Sequence, residues 1–186
     1  ANTGYCLNAA PVDLTVFVNE SGTWGGHGVD PATGMFDPSV NFPGPVTISF
    51  VPDNGCPDNV SQSVTVYPLP ALVIAQGNSV NFCQGSDLTL EASGANTYVW
   101  STVSGLANVA SPNASSTLIT PSQTSNILVE GTENTNNCTN STNVQLIQYT
   151  NEIPSINLSQ SFCENDNPLA LVGTLSNGIT PSNGTW

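Results

Sequence analysis

Not one lysine or arginine occurs among the 186 residues, against 13 aspartates and glutamates and a single histidine, His27. Charged residues make up about a quarter of an ordinary chain, so a sequence of this length would carry roughly twenty basic side chains. Their absence excludes whole classes of function. Phosphate neutralisation depends on Lys and Arg, so nucleic acid is not expected as a partner, and neither is an anionic membrane surface. Salt bridges have almost no cation to use, which leaves apolar burial, backbone ladders and disulfides to hold the fold. With only 7% of residues charged, the chain is neither a carboxylate shell nor an acidic disordered tail. A sequence without Lys or Arg also offers trypsin-like proteases no cleavage site, and a net charge of −13 keeps neighbouring domains from sticking. Compositional drift in a repeat array is the competing explanation.

Long apolar runs are missing too. No stretch approaches the length needed to span a bilayer, and Ala1-Asn2-Thr3 does not open a charged and apolar signal segment. No segment supports an amphipathic helix of ordinary length. No CxxC pair and no histidine cluster accompanies the cysteines, so a structural metal site is not expected.

What is present is a repeat. An aromatic residue followed by cysteine opens three stretches, Tyr5-Cys6, Phe82-Cys83 and Phe162-Cys163, at nearly equal intervals along the chain. An alternating apolar run and a tryptophan follow each pair: Trp24, Trp100 and Trp186. An interval of this size fits a small all-β domain better than most solenoid repeats. Proline marks the boundaries, at Pro68-Leu69-Pro70 and at Ile153-Pro154. The expected units are 1–69, a Gly-rich variant, then 70–151, and the N-terminal part of a third at 152–186. The third stops soon after it starts, so the chain reads as a section of something longer.

Five cysteines divide by spacing into Cys6 with Cys56 and Cys83 with Cys138, leaving Cys163 to find a partner beyond Trp186. The two pairs enclose stretches of similar length, and such regularity favours one disulfide within each unit. Closing a loop of that length stabilises a thin-cored domain by about 4 kcal/mol on the chain-entropy model. Disulfides imply an oxidising compartment: periplasm, cell surface or medium.

In the second unit Leu88, Leu90 and Ala92 alternate with polar residues, and Tyr98 and Trp100 share one face of the next run. Further runs at 71–75, 116–120, 126–130 and 144–149 bring the count to about seven short strands. That pattern predicts tandem immunoglobulin-like β-sandwich domains, with Trp100 as the core tryptophan. The first unit has a Gly-rich middle around Trp24, His27 and Phe36. Tight turns packed about Trp24 and Phe36 are expected there. The alternative is an exposed Trp24 stacking on a sugar ring.

Catalysis is not expected. His27 sits in a glycine loop as a solvent-exposed turn residue, with no Ser-His-Asp arrangement around it. Asp30 with Asp37, and Asp53 with Asp58, are carboxylate pairs with no cation to shape a site, and read as solvated loop residues. No cofactor is expected; calcium is the one ion that suits all-oxygen donors in acidic, Asn-rich loops.

Phe82-Cys83-Gln84-Gly85-Ser86-Asp87-Leu88, then Tyr98-Val99-Trp100-Ser101 and the late Cys138, resembles the Ig-like and PKD-like repeats of large secreted surface proteins of Bacteroidota. The first unit, with Gly22-Thr23-Trp24 and Asn54-Gly55-Cys56, is similar to a sister repeat of the same proteins. The resemblance implies export by the type IX system, a location outside the outer membrane and, in some cases, giant adhesins used in gliding motility. The function expected is thus a non-catalytic stalk of an extracellular adhesin or surface filament, touching neighbouring repeats of the same chain and surface polysaccharide. The alternative is a carbohydrate-binding accessory module of a secreted polysaccharide-degrading enzyme.

Overall fold

A computed structural model describes residues 4–54 and 60–149. Cys56, Asp58, Cys163 and the whole third unit lie outside the described residues. Among the described residues the regular structure is β, apart from two single 3-10 turns at Thr15–Phe17 and Pro38–Val40.

The first unit comprises β1 (Gly4–Cys6), β2 (Val12–Asp13), β3 (Gly22–Gly25), β4 (Met35–Phe36), β5 (Gly44–Pro52) and β6 (Val60–Tyr67). The second comprises β7 (Val73–Ile74), β8 (Ser79–Cys83), β9 (Leu88–Ser93), β10 (Thr97–Ser104), β11 (Ala107–Val109), β12 (Ser116–Pro121), β13 (Ser125–Thr132) and β14 (Thr139–Tyr149).

Two sheets form the second unit, in the orders β7-β9-β12-β11 and β8-β14-β13-β10. This is the strand order of an immunoglobulin-like sandwich. Alternation along each strand buries Leu90, Ala92, Tyr98, Trp100, Ile119, Ile127, Val129, Val144 and Leu146 in one core. Trp100 is the core tryptophan at 2% exposure. Its indole Nε1 donates to the Ala114 carbonyl at 2.8 Å, and the Tyr98 hydroxyl donates to the Ala95 carbonyl at 2.8 Å, so both rings are buried without an orphaned donor. The opening strand is split. Gly77, at φ +81°, donates to the Ile74 carbonyl and turns the chain from one sheet to the other, so that β8 can run parallel to β14. Cys83 consequently ends β8 and precedes β9.

The first unit keeps the second of these sheets, as β1-β6-β5-β3 with β1 parallel to β6. Trp24 on β3 is in register with Phe50 on β5, ring centroids 4.7 Å apart, and Phe36 packs edge-on against Tyr5 at 5.8 Å. Among the described residues the facing layer has the short β2–β4 ladder and an isolated bridge between Val29 and Phe36. Three aspartate turns do there what strand ladders do elsewhere. Asp13 accepts from the Thr15 hydroxyl and amide, Asp30 from the Ala32 and Thr33 amides, and Asp37 from the Ser39 hydroxyl and amide.

The expected pairing of Cys83 with Cys138 is not formed. β8 and β14 run parallel with Cys83 level with Tyr149, at the far end of β14 from Cys138. The whole of β14 separates those ends, roughly 35 Å at the usual rise, whereas a disulfide needs Cα atoms within about 7 Å. Cys138 is instead bonded to Cys6, across the two units. With Cys56 undescribed, no intradomain disulfide exists among the described residues.

The donors of the three turns hold the carboxyls of Asp13, Asp30 and Asp37 below the ordinary aspartate value. Folding lowers these pKa values, so the turns add stability above the ordinary aspartate range and lose it as pH falls through the lowered values. The melting temperature of the first unit should therefore drop on acidification below that range. Replacing all three aspartates by asparagine should flatten part of the drop; a variant with an unchanged pH profile would contradict the assignment.

Candidate functional site: the interdomain clasp

Cys6 and Cys138 are 132 residues apart in sequence and have Cα atoms 5.5 Å apart in space. Each is delivered by a locally specified turn. Cys138 closes the loop between β13 and β14. Asn137 there takes a left-handed conformation, φ 58°, and donates to the Glu133 carbonyl at 2.8 Å; Asn136 accepts from the Cys138 amide at 2.9 Å. Asparagine tolerates that conformation and caps its own backbone, so the Asn-rich stretch is what aims Cys138. Cys6 ends β1 opposite Tyr67, and the Ala9 amide donates to its carbonyl at 2.9 Å.

Two hydrogen bonds flank the sulfur bridge. The Asn8 side chain donates to the Thr139 carbonyl at 3.1 Å, joining the units beside the disulfide. The Asn140 side chain donates to the Pro70 carbonyl at 2.9 Å and so fixes the linker itself. Each is worth about 1 kcal/mol net, while closing a loop of 132 residues stabilises by about 5 kcal/mol on the chain-entropy model. The covalent bond dominates. Cys138 is fully buried, which shields its sulfur from attack by an external thiolate. Chemically the arrangement tethers the two domains at a second point beside the linker.

The other residues singled out in the sequence are separate from this clasp. Trp24 is 9% exposed and packed on Phe50. Gly34, at φ +69°, lies against that indole, where an added Cβ would come within 2.7 Å of Nε1. His27 is exposed, and its Nδ1 is 2.9 Å from Oδ1 of the buried Asn41. Asp30 and Asp37 are each engaged in their own turns, and Asp53 donates its amide to the Ser21 carbonyl. Among the described residues no three or more His, Cys, Asp or Glu side chains converge as a metal site. An apolar groove of about 410 Å³ opens on the first unit beside Trp24, Phe50, Ile48, Val64 and the exposed Phe17.

Sequence reasoning found both clasp cysteines but not Asn8 or Asn140. The signal available was the run of asparagines around Cys138.

No protein-family model matches the sequence, and no curated protein is significantly similar to it. Among solved structures, the chain is similar to domains 1–6 of the surface layer protein SbsC at 12% identity and TM-score 0.31, covering 86% of this chain and 24% of that one. It is similar to the insect immune protein hemolin at 17% identity and TM-score 0.29, covering 70% and 40%, and to Sidekick-1 immunoglobulin domains 1–4 at 8% identity and TM-score 0.31, covering 80% and 46%. This chain thus spans about a quarter of the SbsC structure and under half of the other two. Strand order, not these alignments, establishes the fold.

The clasp alters how the chain carries tension. Pulled from its ends, the protein transmits load along β1, through the Cys6–Cys138 bond and into β14, and residues 7–137 are bypassed. An extended residue spans about 3.5 Å, so the bond withholds roughly 45 nm of chain. In single-molecule pulling of residues 1–149, the oxidised protein should stop about 45 nm short of a Cys138→Ser variant. Equal final extensions would contradict the clasp.

Proposed function

We propose that the chain is a non-catalytic stalk segment of a large extracellular adhesin or surface filament protein. The observation that carries this reading is the covalent bond between successive domains. Such a bond does no chemistry at a substrate, yet it limits the freedom between domains and shields them from extension, which suits a projecting, load-bearing rod. Composition agrees with an outside location. A disulfide persists in oxidising compartments, and a chain without Lys or Arg presents no trypsin site where secreted proteases act.

A more specific setting follows from the sequence resemblance: a surface adhesin of Bacteroidota, exported by the type IX system, lying outside the outer membrane and serving gliding motility. Neighbouring repeats of the same chain are its first partners. Contacts with surface polysaccharide would be weak individually and gain strength through number. An accessory sugar-binding module would present an exposed aromatic platform, and burial of Trp24 against Phe50 counts against that role for this residue.

Immunogold electron microscopy of intact cells, with antibodies raised against residues 1–149, tests the reading. Labelling along projections from the cell surface is expected. Labelling confined to the cell interior would overturn it.

A further inference from the structure

On the outer face of the sheet β8-β14-β13-β10, strand register lines up polar side chains that carry no charge. Asn126 on β13 stands opposite Gln145 on β14 and Ser104 on β10. A groove of about 430 Å³ opens over this row, and Asn78, Asn143 and Thr124 complete its walls. Ser104 is there because of a bulge. β10 shifts register between Thr102 and Ser104, so Val103 is passed over and a hydroxyl stands beside Asn126 where an unbroken ladder would set an isopropyl group. Asn78 is held at the rim by its own carbonyl, which accepts from the Gln145 amide at 2.9 Å.

Most of the hydrogen-bonding capacity in this groove is unused. Among the described residues the side chains of Asn78, Gln145 and Ser104 make no hydrogen bond. The Asn143 side chain donates to Oδ1 of Asn126 at 3.3 Å, which leaves the Asn143 side-chain oxygen and the Asn126 amino group open. Thr124 Oγ1 accepts from the Gln148 amide at 3.1 Å and keeps its own proton to donate. Each carboxamide sets a donor beside an acceptor, the complement of a sugar hydroxyl, which also does both. No charged and no hydrocarbon side chain lines the groove.

We infer that this groove is a binding site for a neutral glycan. Other ligand classes fit its chemistry worse. An anionic ligand, uronate and sulfate included, finds no cation in the chain and meets a net charge of −13. An extended peptide is held by an open sheet edge and by pockets for its side chains, whereas this groove crosses a sheet face. A folded protein partner needs an apolar or aromatic anchor point, and the groove has none. With no aromatic ring to stack on the sugar, hydrogen bonds alone hold it, so a single site is weak and gains strength by repetition. The inference gives a site and a ligand class to the polysaccharide contact of the proposed function, and rests on that reading for its setting.

The test is an NMR titration of the full chain labelled with nitrogen-15, in which carboxamide side chains give their own signals. The probes are neutral oligosaccharides of glucose, mannose, galactose and xylose, with oligogalacturonate as the anionic comparison. Saturable movement of the Asn126, Asn143 and Gln145 side-chain signals is expected with at least one neutral probe, and none with oligogalacturonate. Asn143→Ala combined with Gln145→Ala should weaken that binding about tenfold, through the loss of two hydrogen bonds. Both side chains are exposed, so the melting temperature should hold. Gln145→Glu, equal in shape but without the amide donor, should weaken binding too and guards against a loss of fold. The inference is overturned if no neutral probe moves these signals saturably, if oligogalacturonate moves them equally, or if both variants bind as the parent does. Cell labelling, not this titration, decides the surface role, so the two readings fail separately.

Discussion

The bond between Cys6 and Cys138 is the constraint on which the arrangement of this protein depends. Each unit is a sandwich with a small core, and among the described residues of the first unit the layer facing the main sheet holds a two-stranded ladder, one isolated bridge and three aspartate turns. Without lysine or arginine, surface ion pairs cannot reinforce a junction between such units. A covalent bond supplemented by two asparagine hydrogen bonds supplies what side-chain electrostatics cannot.

Placement at the junction gives the bond a different effect from that of an intradomain disulfide. Within a sandwich it would stabilise one fold. Between sandwiches it also tethers them at a second point and takes most of both domains out of the path of force. Parallel pairing of β1 with β6 and of β8 with β14 makes this possible, because it brings the aromatic-cysteine pair to the exit end of each unit. The entry end is reached by the loop before β14, and its asparagines present Cys138 to the preceding domain.

Much of the fold could be read from residues alone. Alternation of Leu88, Leu90 and Ala92, and of Tyr98 and Trp100, identifies strands with one buried face, and the structure buries Leu90, Ala92, Tyr98 and Trp100 as that pattern requires. Pro68 and Pro70 lie between β6 and β7, with one buried cluster on either side. The pairing of cysteines was not legible, for a physical reason: regular spacing along the chain is equally compatible with bonds inside units and with bonds staggered between them. Only register decides, by setting Cys83 a strand's length from Cys138. The facing layer of the first unit was hidden for another reason. Its strands are too short to show a period, and its order comes from side-chain turns at Asp13, Asp30 and Asp37.

Identifying the partner of Cys6 is the most direct measurement. Residues 1–149, purified without reductant, alkylated and cleaved at acidic residues, should yield a peptide pair joining Cys6 to Cys138. Recovery of Cys6 bonded to Cys56 together with Cys83 bonded to Cys138 would contradict the account at its centre.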